Sequence, residues 1–221
     1  MHEVTHIAYG EGGVNIVLDS SSQTQVAAPN FRFGDYTTVV SSCFTPRELE
    51  KISAGESADI TFYFVVTDEI DNGIIDVQFQ RAIQDNEAVI GNLNEGILID
   101  VSATKSVGEA EEVMLTNSST DLELQMDIPL FLVKENRSYF FMMDKSGNYE
   151  LLSDASPDAE VLTVSTHVFT PGVMLYQDAV ESLVHEEEKS FNLEIRHFLL
   201  AGIVVLIILW FFIDHLHKKS F

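Results

Sequence analysis

The chain has 221 residues and a formal net charge of −23, because 35 Asp and Glu outnumber 12 Lys and Arg. This acidity argues against nucleic-acid binding, which requires clustered basic side chains, and one cysteine excludes a disulfide-stapled scaffold. A hydrophobic fraction of 46% favours a folded core over disorder.

Short runs rich in β-branched and aromatic residues, separated by polar turns, predict strands along the first 178 residues. Residues 122–128 alternate strictly between apolar and polar side chains, as a half-buried strand does. A loop at residues 144–148 contains Gly147 and predicts a hairpin. The predicted strands are residues 14–18, 59–66, 96–102, 122–128, 137–143, 149–152, 161–165 and 173–176.

One helix is strongly indicated at residues 45–54. Thr45 is a suitable N-cap, Pro46 fits the first helical position, and Glu48 completes a capping box. Gly55 can end the helix in the left-handed conformation. We expect this helix to be a crossover between strands, and we expect a second helical stretch within residues 77–90.

The pattern predicts a mainly β protein, an Ig-like antiparallel β-sandwich with a short crossover helix. A charged, Gly-containing stretch at residues 68–76 suggests a boundary between an N-terminal lobe (1–76) and a C-terminal lobe (77–178). The sequence leaves open whether these are two lobes or one interlocked domain.

The C-terminal region has a different composition. Residues 1–197 carry a charge of −24, whereas residues 198–221 carry +1 and contain an uncharged apolar run. We expect a charged stalk (179–197), a transmembrane helix (198–216) and a tail (217–221) that Lys218 and Lys219 place in the cytoplasm. The residues expected to form the anchor are Phe198, Leu199, Leu200, Ile203, Val204, Val205, Leu206, Ile207, Ile208, Leu209, Trp210, Phe211, Phe212 and Ile213.

Four strings of residues resemble a recurring module found near the C-termini of cell-surface proteins of Firmicutes, especially clostridia. The first resembles the pattern LT-x-E-E-L-x-x-I-x-x-G-E, and the second resembles LDISLFK-x-VG. The third resembles an IP…NR-T-Y/F-Y pattern before a hairpin, and the fourth resembles closing strands of the form TITFETDKFSTYAI. In order, they are residues 44–56, residues 98–108, residues 128–129 with 136–141, and residues 162–170.

The resemblance implies an exported, membrane-anchored β-sandwich on the surface of a Gram-positive cell. It brings no catalytic motif with it. The chain also lacks an LPXTG-like signal before its apolar run, which favours a membrane anchor over attachment to the cell wall.

Oxygen ligands at the predicted boundary suggest one metal site. Asp68, Asp71, Asn72 and Asp76 surround the turn at Gly73, and Ca²⁺ prefers such oxygen-rich loops. The alternative is a solvated acidic loop. No other cofactor is expected.

The sequence shows no motif for catalysis by a nucleophile, a metal or a bound phosphate. Cys43 is the candidate nucleophile, but no histidine is marked as its partner, and a small buried residue before a helix is the alternative. We therefore expect a protein that is not an enzyme.

The expected function is a membrane-anchored extracellular spacer or interaction domain, with the bulk of the chain outside the cell. Its expected partners are the lipid bilayer and a host or neighbouring surface protein or glycan. A carbohydrate-binding or adhesin module is the alternative. The first residues do not read as a signal peptide. The chain is therefore either the C-terminal part of a longer exported protein or a tail-anchored protein that faces the cytosol.

Overall fold

The computed structural model describes residues 2–10, 13–70, 73–145, 147–156, 158 and 160–179. Strands dominate this part of the chain, as predicted. The elements, in chain order, are β1 (His2–Tyr9), β2 (Val14–Ser22), β3 (Phe31–Phe33), α1 (Tyr36–Cys43), α2 (Pro46–Ser53), β4 (Ala58–Thr67), α3 (Ile74–Ile90), β5 (Asn94–Val107), β6 (Val113–Leu115), β7 (Asn117–Asp127), β8 (Arg137–Lys145), β9 (Asn148–Ser153), β10 (Val161–Val168) and β11 (Gly172–Asp178).

A large sheet of eight strands forms the frame of the protein, in the order β1-β2-β4-β5-β11-β8-β9, with β6 also paired to β5. Strands β4 and β5 lie on opposite sides of the predicted boundary at residue 76, yet they pair antiparallel from Ala58↔Val107 to Thr67↔Leu98. Residues 1–179 form one compact unit. The sheet is therefore continuous across that boundary.

The prediction of an antiparallel sandwich is wrong at one pair of strands. β2 and β4 run parallel, from Val14↔Ala58 to Ser22↔Val66. A parallel pair needs a long crossover connection. Here the connection contains β3, α1 and α2, so the predicted crossover helix does bridge two strands of the sheet.

A second sheet, in the order β10-β7-β3, covers one face of the large sheet. Aromatic side chains join the two layers: Phe31 stacks on Phe64 with ring centroids 4.0 Å apart, and Phe33 lies 4.6 Å from Phe62. Inward-facing residues of β4, such as Ile60 and Phe62, are fully buried between the sheets. The main core thus lies between two sheets.

Helix α3 covers part of the opposite face of the large sheet. Its Phe79 and Ile83 are buried against Met142, Val173 and Leu175 of β8 and β11. Strand β11 is therefore covered on both faces, which explains its continuous apolar sequence.

Helix α2 forms as predicted. Thr45 is its N-cap and accepts a hydrogen bond from the Glu48 backbone N–H, while the Glu48 carboxylate accepts one from the Thr45 N–H. Pro46 occupies the first turn. These local interactions explain why the sequence locates this helix so well.

Within the described residues, no helix is long and apolar enough to cross a membrane. The predicted transmembrane helix (198–216), the tail with Lys218 and Lys219, and all of the predicted stalk except Ala179 lie outside the described residues. The anchor and its orientation therefore stay predictions.

Candidate functional site

A cleft of about 590 Å³ opens at one end of the second sheet. Three chain segments enclose it: the loop that leads into β3, the turn that follows β7, and the residues that precede β10. The described residues that line it are Val26, Ala27, Ala28, Pro29, Asn30, Asp127, Ile128, Pro129, Leu130, Phe131, Asp158, Glu160 and Val161.

The antiparallel register of the second sheet brings these segments together. The end of β7 lies beside the start of β3, where Phe31 pairs with Met126, and beside the start of β10, where Val161 pairs with Asp127. The backbone N–H of Asp127 donates to the Asn30 carbonyl at 3.0 Å, and that of Ile128 donates to the Glu160 carbonyl at 2.7 Å. The cleft walls are thus tied by main-chain hydrogen bonds.

The turn after β7 exposes two large apolar side chains at the mouth of the cleft. Leu130 is 88% exposed and Phe131 is 62% exposed, whereas the next residue, Leu132, is buried in the core. The Pro129 carbonyl accepts a hydrogen bond from the Leu132 N–H at 2.7 Å, which closes the turn. Because Leu132 is anchored inward, the turn holds Leu130 and Phe131 outward.

A polar cluster behind the turn fixes it further. The Leu132 carbonyl accepts hydrogen bonds from Arg137 Nη1 at 2.7 Å and from the Tyr139 hydroxyl at 2.8 Å. Arg137 also lies over the Tyr176 ring at 3.9 Å and donates to Asp178 Oδ1 at 2.8 Å. The hydrogen bond from Arg137 holds the pKa of the Asp178 carboxyl below its usual value.

The rim of the cleft is acidic. Asp127 accepts hydrogen bonds from Arg32 Nη1 at 2.7 Å and from Asn30 Nδ2 at 2.9 Å, so its charge is offset. Asp158 and Glu160 form no ion pair within the described part of the chain, and none of the described lining residues is Lys or Arg. The cleft therefore combines an apolar interior with a negative rim.

The residues proposed for Ca²⁺ are only partly described. Asp76 Oδ1 accepts a hydrogen bond from the Ile70 N–H at 3.3 Å, and Asp68 and Asp76 line a cavity of about 100 Å³ that also contains Glu95. Burial and the charge of Asp76 raise the pKa of the Glu95 carboxyl. Asp71 and Asn72 lie outside the described residues. Those residues that are described contain no group of three ligands suited to a metal, and the Ca²⁺ site stays a prediction.

Cys43 lies at the end of α1, in the core. Its side chain is buried, and burial raises the pKa of the thiol to about 12. The thiolate is the nucleophilic form of cysteine, so this environment suppresses its reactivity. The interpretation of Cys43 as a small buried residue before a helix is therefore confirmed.

Sequence reasoning missed the cleft and its two exposed apolar residues. One signal was present: Leu130, Phe131, Leu132 and Val133 form an apolar run directly after Pro129, where a turn is expected. A turn can bury only part of such a run, so exposed members are an expected consequence.

Comparisons with protein-family models, with curated proteins and with solved structures found no match. The resemblance to clostridial surface modules therefore stays a prediction.

Proposed function

We propose that this chain is a non-catalytic interaction domain of a bacterial cell-surface protein, anchored in the membrane by residues 198–213. The domain lies outside the cell, and the tail at residues 217–221 lies in the cytoplasm. The cleft beside Leu130 and Phe131 is its contact surface. The observation that carries the proposal is this pair of exposed apolar side chains at a preformed cleft.

The site has the character of a binding surface. Preformed, mainly apolar concavities of 300–1,000 Å³ with a few polar groups are typical of ligand sites. Exposed apolar residues that cluster at such a rim mark interaction surfaces more often than isolated ones do. The hydrogen bonds to the Leu132 carbonyl hold the turn in place before any partner arrives.

The fold suits a spacer as well. Two packed sheets support the proposed relation to Ig-like sandwiches, from which the parallel pair β2–β4 departs. β11, the last of the described strands, lies between β5 and β8 in the large sheet. A central strand with partners on both sides resists being pulled out, which suits a domain that is held at its C-terminal end.

Carbohydrate binding is the second candidate function. Phe131 is an exposed aromatic ring, and the Asp127 and Asp158 carboxylates lie in the same cleft, which is a combination that can hold a sugar. The lining is otherwise aliphatic, from Val26 through Pro29 and from Ile128 to Leu130, and this favours an apolar side chain over a polyol.

Trypsin treatment of intact cells tests the proposed location. Lys189 and Arg196 lie between the compact domain and the apolar run. Cleavage there will release a soluble fragment that contains residues 1–179, detected with an antibody to the domain. The control variant, Lys189→Gln with Arg196→Gln, will retain the domain on the cell. A chain that trypsin cuts only after the cells are lysed would contradict the proposal.

A further inference from the structure

The cleft at the end of the second sheet combines two chemical components. Its interior is lined by aliphatic residues, with Leu130 and Phe131 standing exposed at its mouth. Its rim carries the Asp158 and Glu160 carboxylates, which no basic side chain neutralises in the described residues. A matching ligand therefore presents apolar groups beside positive charge.

We infer that the cleft binds a short basic and apolar segment of a partner protein, in which Leu-like or Phe-like side chains alternate with Lys or Arg. This inference rests on the proposed interaction role of the cleft. A volume of about 590 Å³ accommodates a few side chains and is too small for a folded domain.

The positions of the carboxylates support a peptide rather than a compact cation. Asp158 and Glu160 lie close together in the chain, and Asp158 Oδ1 accepts a hydrogen bond from the Glu160 N–H at 3.0 Å. Asp127, whose charge Arg32 offsets, lies beside them at the end of β7, where it pairs with Val161 and where the Ile128 N–H donates to the Glu160 carbonyl. On an extended segment, positive groups at alternate residues lie on one side and can reach Asp158 and Glu160, while the residues between them enter the apolar interior.

Charge disfavours the other occupants of an apolar cleft. A second copy of this chain brings another −24 within residues 1–197, and an anionic bilayer surface brings the same sign of charge to the rim. A glycan would leave its hydroxyl groups against the aliphatic lining without partners. A basic apolar segment complements both components.

The test uses the full-length chain in a non-ionic detergent and three fluorescent hexapeptides. The first alternates lysine and leucine, the second replaces each lysine with glutamate, and the third replaces each leucine with serine. Fluorescence anisotropy will show at least tenfold tighter binding of the first peptide than of either control peptide. Equal binding of the first and third peptides would overturn the inference, since it would reflect only the overall acidity.

Paired variants locate the binding on the protein. Asp158→Asn with Glu160→Gln will weaken binding of the lysine–leucine peptide about fivefold, because two favourable charge contacts are lost. Glu109→Gln with Glu111→Gln removes the same charge from an exposed segment elsewhere and will leave the affinity within a factor of two. An equal loss in both variants would place the peptide outside the cleft and overturn the inference.

The apolar component has its own pair of variants. Leu130→Ser with Phe131→Ser will weaken binding about tenfold, because two side chains that cover the ligand are removed. The matched control is Val113→Ser with Met114→Ser, which removes two similarly exposed apolar side chains from β6. An unchanged affinity in the first variant would overturn the inference.

The results of these experiments also show whether an error lies in the ligand class or in the proposed function. If the peptide binds nowhere, but a glycan array shows binding that Phe131→Ser abolishes, the ligand class is wrong and the interaction role stands. If trypsin shows the domain to be inside the cell while the peptide still binds, the proposed location fails and the ligand class stands.

Discussion

Lys105 Nζ lies 2.6 Å from Glu48 Oε2, although Lys105 occupies a core-facing position of β5. The same ammonium donates to the Cys43 carbonyl at 2.9 Å and lies 5.4 Å from the centre of the Phe44 ring. Lys105 therefore satisfies the carbonyl at the end of α1 and joins the capping box of α2 to the large sheet. Two of the four strings behind the family resemblance meet at this contact.

Lys105→Met removes the charge and keeps most of the side-chain volume. The Cys43 carbonyl then loses a buried donor and Glu48 loses its ion-pair partner, so we expect the free energy of unfolding to fall by about 2 kcal/mol. Urea denaturation measures this change. Lys51→Met is the control, because Lys51 is exposed and lies 3.7 Å from Glu56; its effect should stay within about 0.5 kcal/mol.

The Glu48 carboxyl makes stability depend on pH. Burial raises its pKa, but hydrogen bonds from Lys105 and Thr45 outweigh burial and hold the pKa below the ordinary value of 4.5. The stabilisation is therefore complete above pH 4.5 and is lost as the pH falls through the lowered pKa. Glu48→Gln should destabilise the protein at pH 7, and the difference from wild type should shrink as the pH falls below 4.5. A constant difference across that range would contradict this account.

Asp100 lies on the face of β5 that points away from the main core. Its carboxyl changes stability with pH in the opposite direction to that of Glu48. Burial alone raises the pKa of its carboxyl above the ordinary value of 3.8, so the charged form destabilises the folded state at neutral pH. Asp100→Asn should raise the melting temperature at pH 7, and this gain should vanish when the pH falls below 3.8, where both states are protonated. Asp85→Asn, at an exposed position of α3, is the control and should leave the melting temperature unchanged.

Gly172 lies at the start of β11, where there is no space for a side chain. A Cβ atom there would lie against the Phe141 ring, 2.7 Å from its Cε1, and 3.0 Å from the Met142 carbonyl oxygen. Phe141 is fully buried and cannot move aside, so Gly172→Ala should lower the free energy of unfolding by about 2 kcal/mol. Gly34→Ala meets only the flexible Glu123 side chain and should change stability by less than about 1 kcal/mol.

The elements that the sequence predicts well are those specified by local interactions. The alternation in β4 and β7 and the capping box at Thr45 each act within a few residues. The sequence pattern does not predict helix α1, because its β-branched residues are typical of a strand. Its local signal is Asp35, whose side chain accepts hydrogen bonds from the Thr37 and Thr38 backbone N–H groups.

The remaining features depend on contacts between distant parts of the chain. The parallel pairing of β2 with β4 joins strands that are separated by a β-strand and two helices. The cleft joins residues 26–30, 127–131, 158 and 160–161, and no short pattern links these three segments. Lys105 looks like a surface residue by its charge, and only the burial pattern of β5 places it toward the core.

The most direct measurement of the central claim is labelling of intact cells with a membrane-impermeant maleimide. Wild type serves as the blank, because Cys43 is 3% exposed and burial raises the pKa of its thiol to about 12. Glu111→Cys places a thiol on an exposed segment of the domain, and Ser220→Cys places one in the predicted tail. We predict labelling at residue 111 in intact cells and at residue 220 only after permeabilisation. Labelling at residue 111 that requires permeabilisation would contradict the account.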